Sequence, residues 1–304
     1  MKKSGVIATI LSIAVLLAIA FIVHDKKTTK LEEKATEKIS ICTSIYPMYD
    51  FAKNICGDYA EITCLVPIES DFREYTPQPS ELDSISDYDI FIYSGKGADS
   101  WAEAVIPLLE EKNIIVVNAS ENISEESPTG FVWLNPNNAL LQMQEIYESV
   151  ITIDPDNKSY YSMNINISKE SIKNLNSDLK KVAANLPDKE IFVTAPIYDS
   201  LCLAYDLKQT TVTGMGYHGA VIPENTLRVK NFFAVNKVTS LFTEPQNITS
   251  ALKEITSASD VSTYSLDPFV KLIDKNGYFD IMKNNIESLN QSLILEDDDS
   301  SDEI

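Results

Sequence analysis

Two histidines in 304 residues leave little room for imidazole chemistry, and His24 sits against an apolar N-terminal run. The residues that could line a ligand site are instead scattered over short segments that follow the predicted strands. They are Arg73 with Asp71, Glu74 and Tyr75 around it, Phe131, Pro196, Tyr198, His218 in Gly216-Tyr217-His218-Gly219, Glu244 and Asp267. Arginine is a permanent cation with five N–H donors and no lone pair, suited to carboxylates and other anions. A zinc or manganese site needs about four N, O or S donors on one point. Asp267 and His218 are the candidate metal donors, with Glu244 as a substitute group. Three further arrangements use the same residues. Arg73 can pair with Asp267 through its guanidinium fork. Arg73 with Phe131, Tyr75 and Tyr198 can form a cationic, aromatic pocket for a small organic anion. Phe131 and Pro196 can simply fill a closed cleft. No G-x-S-x-G elbow, P-loop, H-E-x-x-H or paired Cys–His motif is present, and Ser44 and Ser94 lack a partnering base, so the chain reads as no enzyme.

Elements that could position such residues alternate along the chain. Strands are predicted at Ile39–Ile45, Glu61–Val66, Asp89–Tyr93 and Ile114–Val117, and again at Glu190–Thr194, Thr210–Thr213, Ser240–Thr243 and Ser262–Ser265. Helices are predicted at Met48–Ile55, Pro79–Ser86, Ala102–Glu111, Pro136–Val150, Ser200–Leu207, Glu224–Val235, Ile248–Ser257 and Ile281–Leu293. From about Lys158 to Asn185 a long polar helix carries Ile165, Ile172, Leu175, Leu179 and Val182 at helical spacing. The expected fold is α/β: two Rossmann-like lobes with parallel sheets, joined by a long spine helix, with a ligand cleft between the lobes at the strand carboxyl ends. The corresponding boundaries are 39–155 for the N-terminal lobe, 156–188 for the spine and 189–293 for the C-terminal lobe.

The flanks differ in kind. Residues 1–24 read as a membrane anchor or signal segment: Lys2 and Lys3 precede an uncharged run from Gly5 to Val23, whose helix would rise roughly 28 Å. No Cys follows that run closely, so a lipid-anchor signal is not expected. Residues 25–38 form a charged tether and 294–304 an acidic tail. With 45 acidic against 25 basic residues and a net charge of -20, nucleic acid is excluded as a partner. A monomer is expected. Cys42 with Cys64, or Cys56 with Cys64, are candidate disulfide pairs in an oxidising compartment, against buried free thiols.

Several strand-end segments, taken in order, resemble the zinc/manganese family of solute-binding proteins of ABC importers. They are Thr43-Ser-Ile-Tyr-Pro-Met-Tyr-Asp-Phe51, Asp71-Phe-Arg-Glu-Tyr-Thr-Pro-Gln-Pro-Ser80, Tyr93-Ser-Gly-Lys-Gly97 with Trp101, Val132-Trp-Leu-Asn-Pro136, Phe242-Thr-Glu-Pro-Gln246, Leu266-Asp-Pro268, and Tyr278-Phe-Asp-Ile-Met282 through Asn285. The resemblance runs from about residue 40 to 290. It implies a divalent metal, zinc or manganese, as cargo, an ABC permease as partner, and an extracytoplasmic location at the membrane. The departures fall on the family's ligand positions, which here hold Arg73, Phe131, Pro196 (in Val193-Thr-Ala-Pro-Ile-Tyr198) and Asp267. The resemblance therefore implies an importer's receptor with its metal site largely replaced, or a non-transporting surface protein of the same fold.

Overall fold

A computed structural model describes residues 38–299 apart from 113, 125 and 274, with side chains through residue 294. Short runs of branched and aromatic residues form its strands. β1 (Ile39–Thr43), β2 (Ala60–Cys64), β3 (Ile90–Tyr93) and β4 (Ile115–Asn118) make one sheet in the order β2-β1-β3-β4. Ile41 lies opposite Ile90, and Ile90 opposite Ile115, in parallel register. All four residues of β3 are buried, as expected of a parallel strand covered on both faces. The second sheet repeats the pattern: β5 (Glu190–Val193), β6 (Lys208–Thr211), β7 (Ser240–Thr243) and β8 (Ser262–Ser265) in the order β6-β5-β7-β8. Val193 pairs with both Thr211 and Phe242, again in parallel.

The helices are α1 (Tyr46–Cys56), α2 (Pro79–Ser84), α3 (Ile106–Glu111), α4 (Pro136–Ile153), α5 (Lys158–Asn185), α6 (Asp199–Tyr205), α7 (Thr226–Asn236), α8 (Ser250–Ser257) and α9 (Tyr278–Asp299). The helix expected over Ala102–Glu111 begins only at Ile106. Pro107 fits only a first turn, and Ala102–Ala104 tightens into a 3-10 turn before it. The last helix starts three residues earlier than the sequence indicated, because the Asp50 carboxylate accepts the Tyr278 N–H at 3.1 Å and caps it. It also continues through Asp299, so the first acidic residues of the expected tail are helical.

At 28 residues, α5 is about 42 Å long and buries Ile165, Ile172, Leu175, Leu179 and Val182 along one stripe. It packs on α1 and α4 of the first sheet's half and on α6 and α9 beside the second. The Asn164 side chain donates to the Ile55 carbonyl at 2.9 Å, and Tyr161 to Asp154 at 2.6 Å. Pro187 stops the helix by forcing Leu186 into an extended conformation.

All four cysteines are free. Cys42 packs with Phe91 and Ala102, whereas the Cys64 thiol meets the Thr43 hydroxyl. Consecutive strand residues face opposite ways, so Cys42 and Cys64 sit on different faces of the sheet and do not meet. Burial pushes each of the four thiols up to about 12. Among the described residues no helix is long and apolar enough to cross a membrane. The expected anchor, and the tether up to residue 37, lie outside the described residues.

Candidate interlobe site

The loop after β2 contains a single 3-10 turn, Phe72–Glu74, started by Asp71. The Asp71 carboxylate accepts the Arg73 backbone N–H at 3.0 Å, which fixes the turn. The same carboxylate receives Arg73 Nε at 2.9 Å and also Nη2. The far edge of the guanidinium reaches the second sheet: Nη1 donates to Glu244 Oε1 at 2.9 Å and Nη2 to Glu244 Oε2 at 2.6 Å. Glu244 follows β7, where Pro245 opens a short turn, and its side chain is fully buried. Four of the five guanidinium N–H groups are thus committed to two carboxylates. The side chains of Arg73 and Asp71 are only 8% and 11% exposed. Burial works against the Asp71 charge, but hydrogen bonds and charge from Arg73 hold its carboxyl below the usual range.

Phe131 lies under this cation, its ring centroid 6.0 Å from Arg73 Cζ. It is buried with Phe72 and Trp133, at centroid distances of 5.8 and 5.2 Å. Gly130 delivers it: at φ +78° a Cβ there would come within 2.7 Å of the Ala98 nitrogen. Trp133 carries the aromatic group across to the other half, donating Nε1–H to the Pro268 carbonyl at 3.0 Å. A second polar clasp joins the same loop to α6, where Asp199 accepts from Ser127 Oγ at 2.8 Å and from Thr129 Oγ1.

The remaining expected residues are arranged differently from the sequence reading. Arg73 pairs with Glu244, not Asp267. The reason is local: Asp267 Oδ1 accepts the Phe269 N–H at 2.8 Å, and the Asp267 backbone N–H and carbonyl are both held by Asn285. Burial, with the Glu244 charge adding to it, pushes the Asp267 carboxyl up to about 6. Tyr198 is buried and donates to the Leu266 carbonyl at 2.6 Å, while Tyr75 turns away to Glu81. Neither offers a hydroxyl to Arg73, so the cationic aromatic pocket reduces to Arg73 over Phe131. Pro196 is exposed rather than serving as filler. His218 sits in a left-handed turn at φ +52°, its carbonyl held by Asn247 at 2.6 Å. Burial and the nearby Arg73 lower its pKa, and its Nε2 is buried without a hydrogen-bond partner.

The donor set does not suit a divalent cation. Both oxygens of Glu244 and both of Asp71 already serve Arg73, and one oxygen of Asp267 serves a backbone amide. Among the described residues no group of three or more His, Cys, Asp or Glu is placed to hold a metal ion. The sequence signal for the actual pairing was available in Asp71, two residues before Arg73. It could not show which distant carboxylate would take the other edge.

Two parallel sheets meeting at their strand carboxyl ends, with one long helix alongside both, define a two-lobed solute-binding protein. The family model of ZnuA, zinc-uptake complex component A, periplasmic, matches residues 41–292, and the chain belongs to this family. It is 28% identical over 287 residues to the high-affinity zinc uptake system protein ZnuA of Bacillus subtilis, covering 85% of this chain and 89% of that protein. It is 25% identical to the manganese ABC transporter substrate-binding lipoprotein PsaA of Streptococcus pneumoniae, covering 96% and 99%. The crystal structure of the metal-dependent lipoprotein YcdH from Bacillus subtilis superposes with a TM-score of 0.76 at 26% identity, covering 84% of this chain and all of that one.

Proposed function

We propose that the chain is the extracytoplasmic solute-binding component of a zinc/manganese-type ABC importer in which its own Arg73 guanidinium takes the place of the metal. The observation that carries this is the double fork from Arg73 to Asp71 on one side and Glu244 on the other. In a metal receptor, a cation drawn from solution joins groups of both lobes. Here the joining cation is covalently part of one lobe, so the two sheets are held together without cargo. The chain acts as a monomer attached to the membrane by its N-terminal segment, with an ABC permease as its partner, and it performs no catalysis. The test is elemental analysis of protein purified without added metal, followed by calorimetric titration of zinc and manganese. Less than a tenth of an equivalent of bound metal and no saturable heat are expected. One equivalent of transition metal that disappears in Asp267→Ala or His218→Ala defeats the proposal.

The same fork supports a second reading, a surface protein of this fold that transports nothing, because a tethered guanidinium cannot be handed to a permease. Binding of the purified chain to its permease separates the two. A saturable complex favours the importer component, and its absence favours the surface protein. A receptor for a small organic anion fits less well, since one Arg73 N–H remains for such a ligand.

A further inference from the structure

The spine helix carries a second cluster of charge, remote from Arg73 in the sequence. Lys169, Lys173 and Lys180 are spaced by four and seven residues, which brings them to one face of α5. Together with α4 that face borders a groove of about 510 Å³. Asn137, Asn176 and Ser177 complete its polar lining, and no described carboxylate lines it. That is unusual for a chain of net charge -20. The amides are held in place: Tyr205 donates to Asn176 Oδ1 at 2.5 Å, and Asn176 Nδ2 donates to Asn137 Oδ1 at 2.8 Å. Asn137 lies in the first turn of α4, where the helix end adds partial positive charge. Lys173 pairs with Glu170 at 3.2 Å, but both side chains are exposed and such a pair is worth little. Lys169 and Lys180 make no ion pair among the described residues. Eleven residues of helix set them about 16 Å apart along the axis, too far for one small anion to bridge.

We infer that this groove binds a soluble linear polyphosphate long enough to span the row, separate phosphates along its chain meeting Lys169, Lys173 and Lys180 while the Asn137 amide donates from the floor. Lysine recognises phosphate as a point charge, so a row of lysines selects for charge spacing along a chain rather than for one headgroup. The groove lies outside the Arg73 site, and the inference does not depend on the function proposed for that site.

Long-chain inorganic polyphosphate, titrated into the full chain in detergent, tests it, with inorganic phosphate as the length control. Saturable polyphosphate binding is expected, at least roughly ten-fold tighter than phosphate and weakening as salt is raised. The double variant K169Q/K180Q should lose roughly ten-fold in affinity, whereas K112Q/K237Q, which removes the same charge elsewhere, should not. N137D, which puts a carboxylate in the groove at a position that favours helix, should abolish binding while thermal stability is kept. Absence of saturable binding, equal affinity for phosphate, or an equal loss in K112Q/K237Q overturns the inference.

Discussion

Glu244 shows what Arg73 does, because a fully buried carboxylate must have a partner. Arg73→Met strands that charge and should destabilise the protein by about 3–5 kcal/mol in urea unfolding. Arg73→Lys should recover little of this, since an ammonium cannot fork to two carboxylates at once. Asp267 behaves oppositely. Its carboxyl, like that of Asp50, is raised to about 6, in both cases chiefly by burial. A carboxyl with a folded pKa above its unfolded value of about 3.9 adds stability below the unfolded value, and loses it as pH rises through about 6. Asp267→Asn should therefore flatten the dependence of Tm on pH between about 4 and 6. It should also be more stable than the wild type at pH 7, by ~1–3 kcal/mol. A steeper profile in the variant would show that the ionised form is the one the fold favours. At this scale the sequence was informative about residue type: Arg73, Phe131 and Pro196 hold no lone pair that a metal could use. It was silent about partners, because Glu244 and Asp267 are both acids at strand ends and differ only in what already occupies their oxygens.

The loop entering α4 is the element on which the site depends most. Gly130 aims Phe131 beneath the guanidinium from a left-handed conformation, with the Ala98 nitrogen and Lys96 carbonyl close by. Gly130→Ala should cost at least ~1–3 kcal/mol and shift the fluorescence of Trp133. Asp199→Ala, which releases Ser127 and Thr129, should speed hydrogen exchange over residues 119–131 while leaving α5 protected. The strands were legible from short branched runs, and Ser240–Thr243 and Ser262–Ser265 stand where the pattern placed them. β6 lies two residues earlier than expected, since Lys-Gln-Thr-Thr has no apolar run to mark its start. The N-terminal extension of α9 was hidden too, because its cap is the side chain of Asp50, 228 residues away.

At the scale of the whole molecule, two sets of four strands and the long helix between them were legible from periodicity, whereas the strand order shared by both sheets was not. Nor was how closely the halves meet, since that is decided by the Arg73 fork, the Trp133 hydrogen bond to Pro268 and the Asp199 clasp. Small-angle scattering should accordingly give superimposable curves with zinc, with manganese and with a chelator. Expansion on chelation would mean that an ion from solution helps to close the structure. The charge at the centre of the Arg73 fork is synthesised with the chain, one per molecule. Its presence cannot be diluted, starved or competed away by the medium, and so the link it makes between Asp71 and Glu244 needs nothing from outside. A molecule linked in this way is a constant in its surroundings.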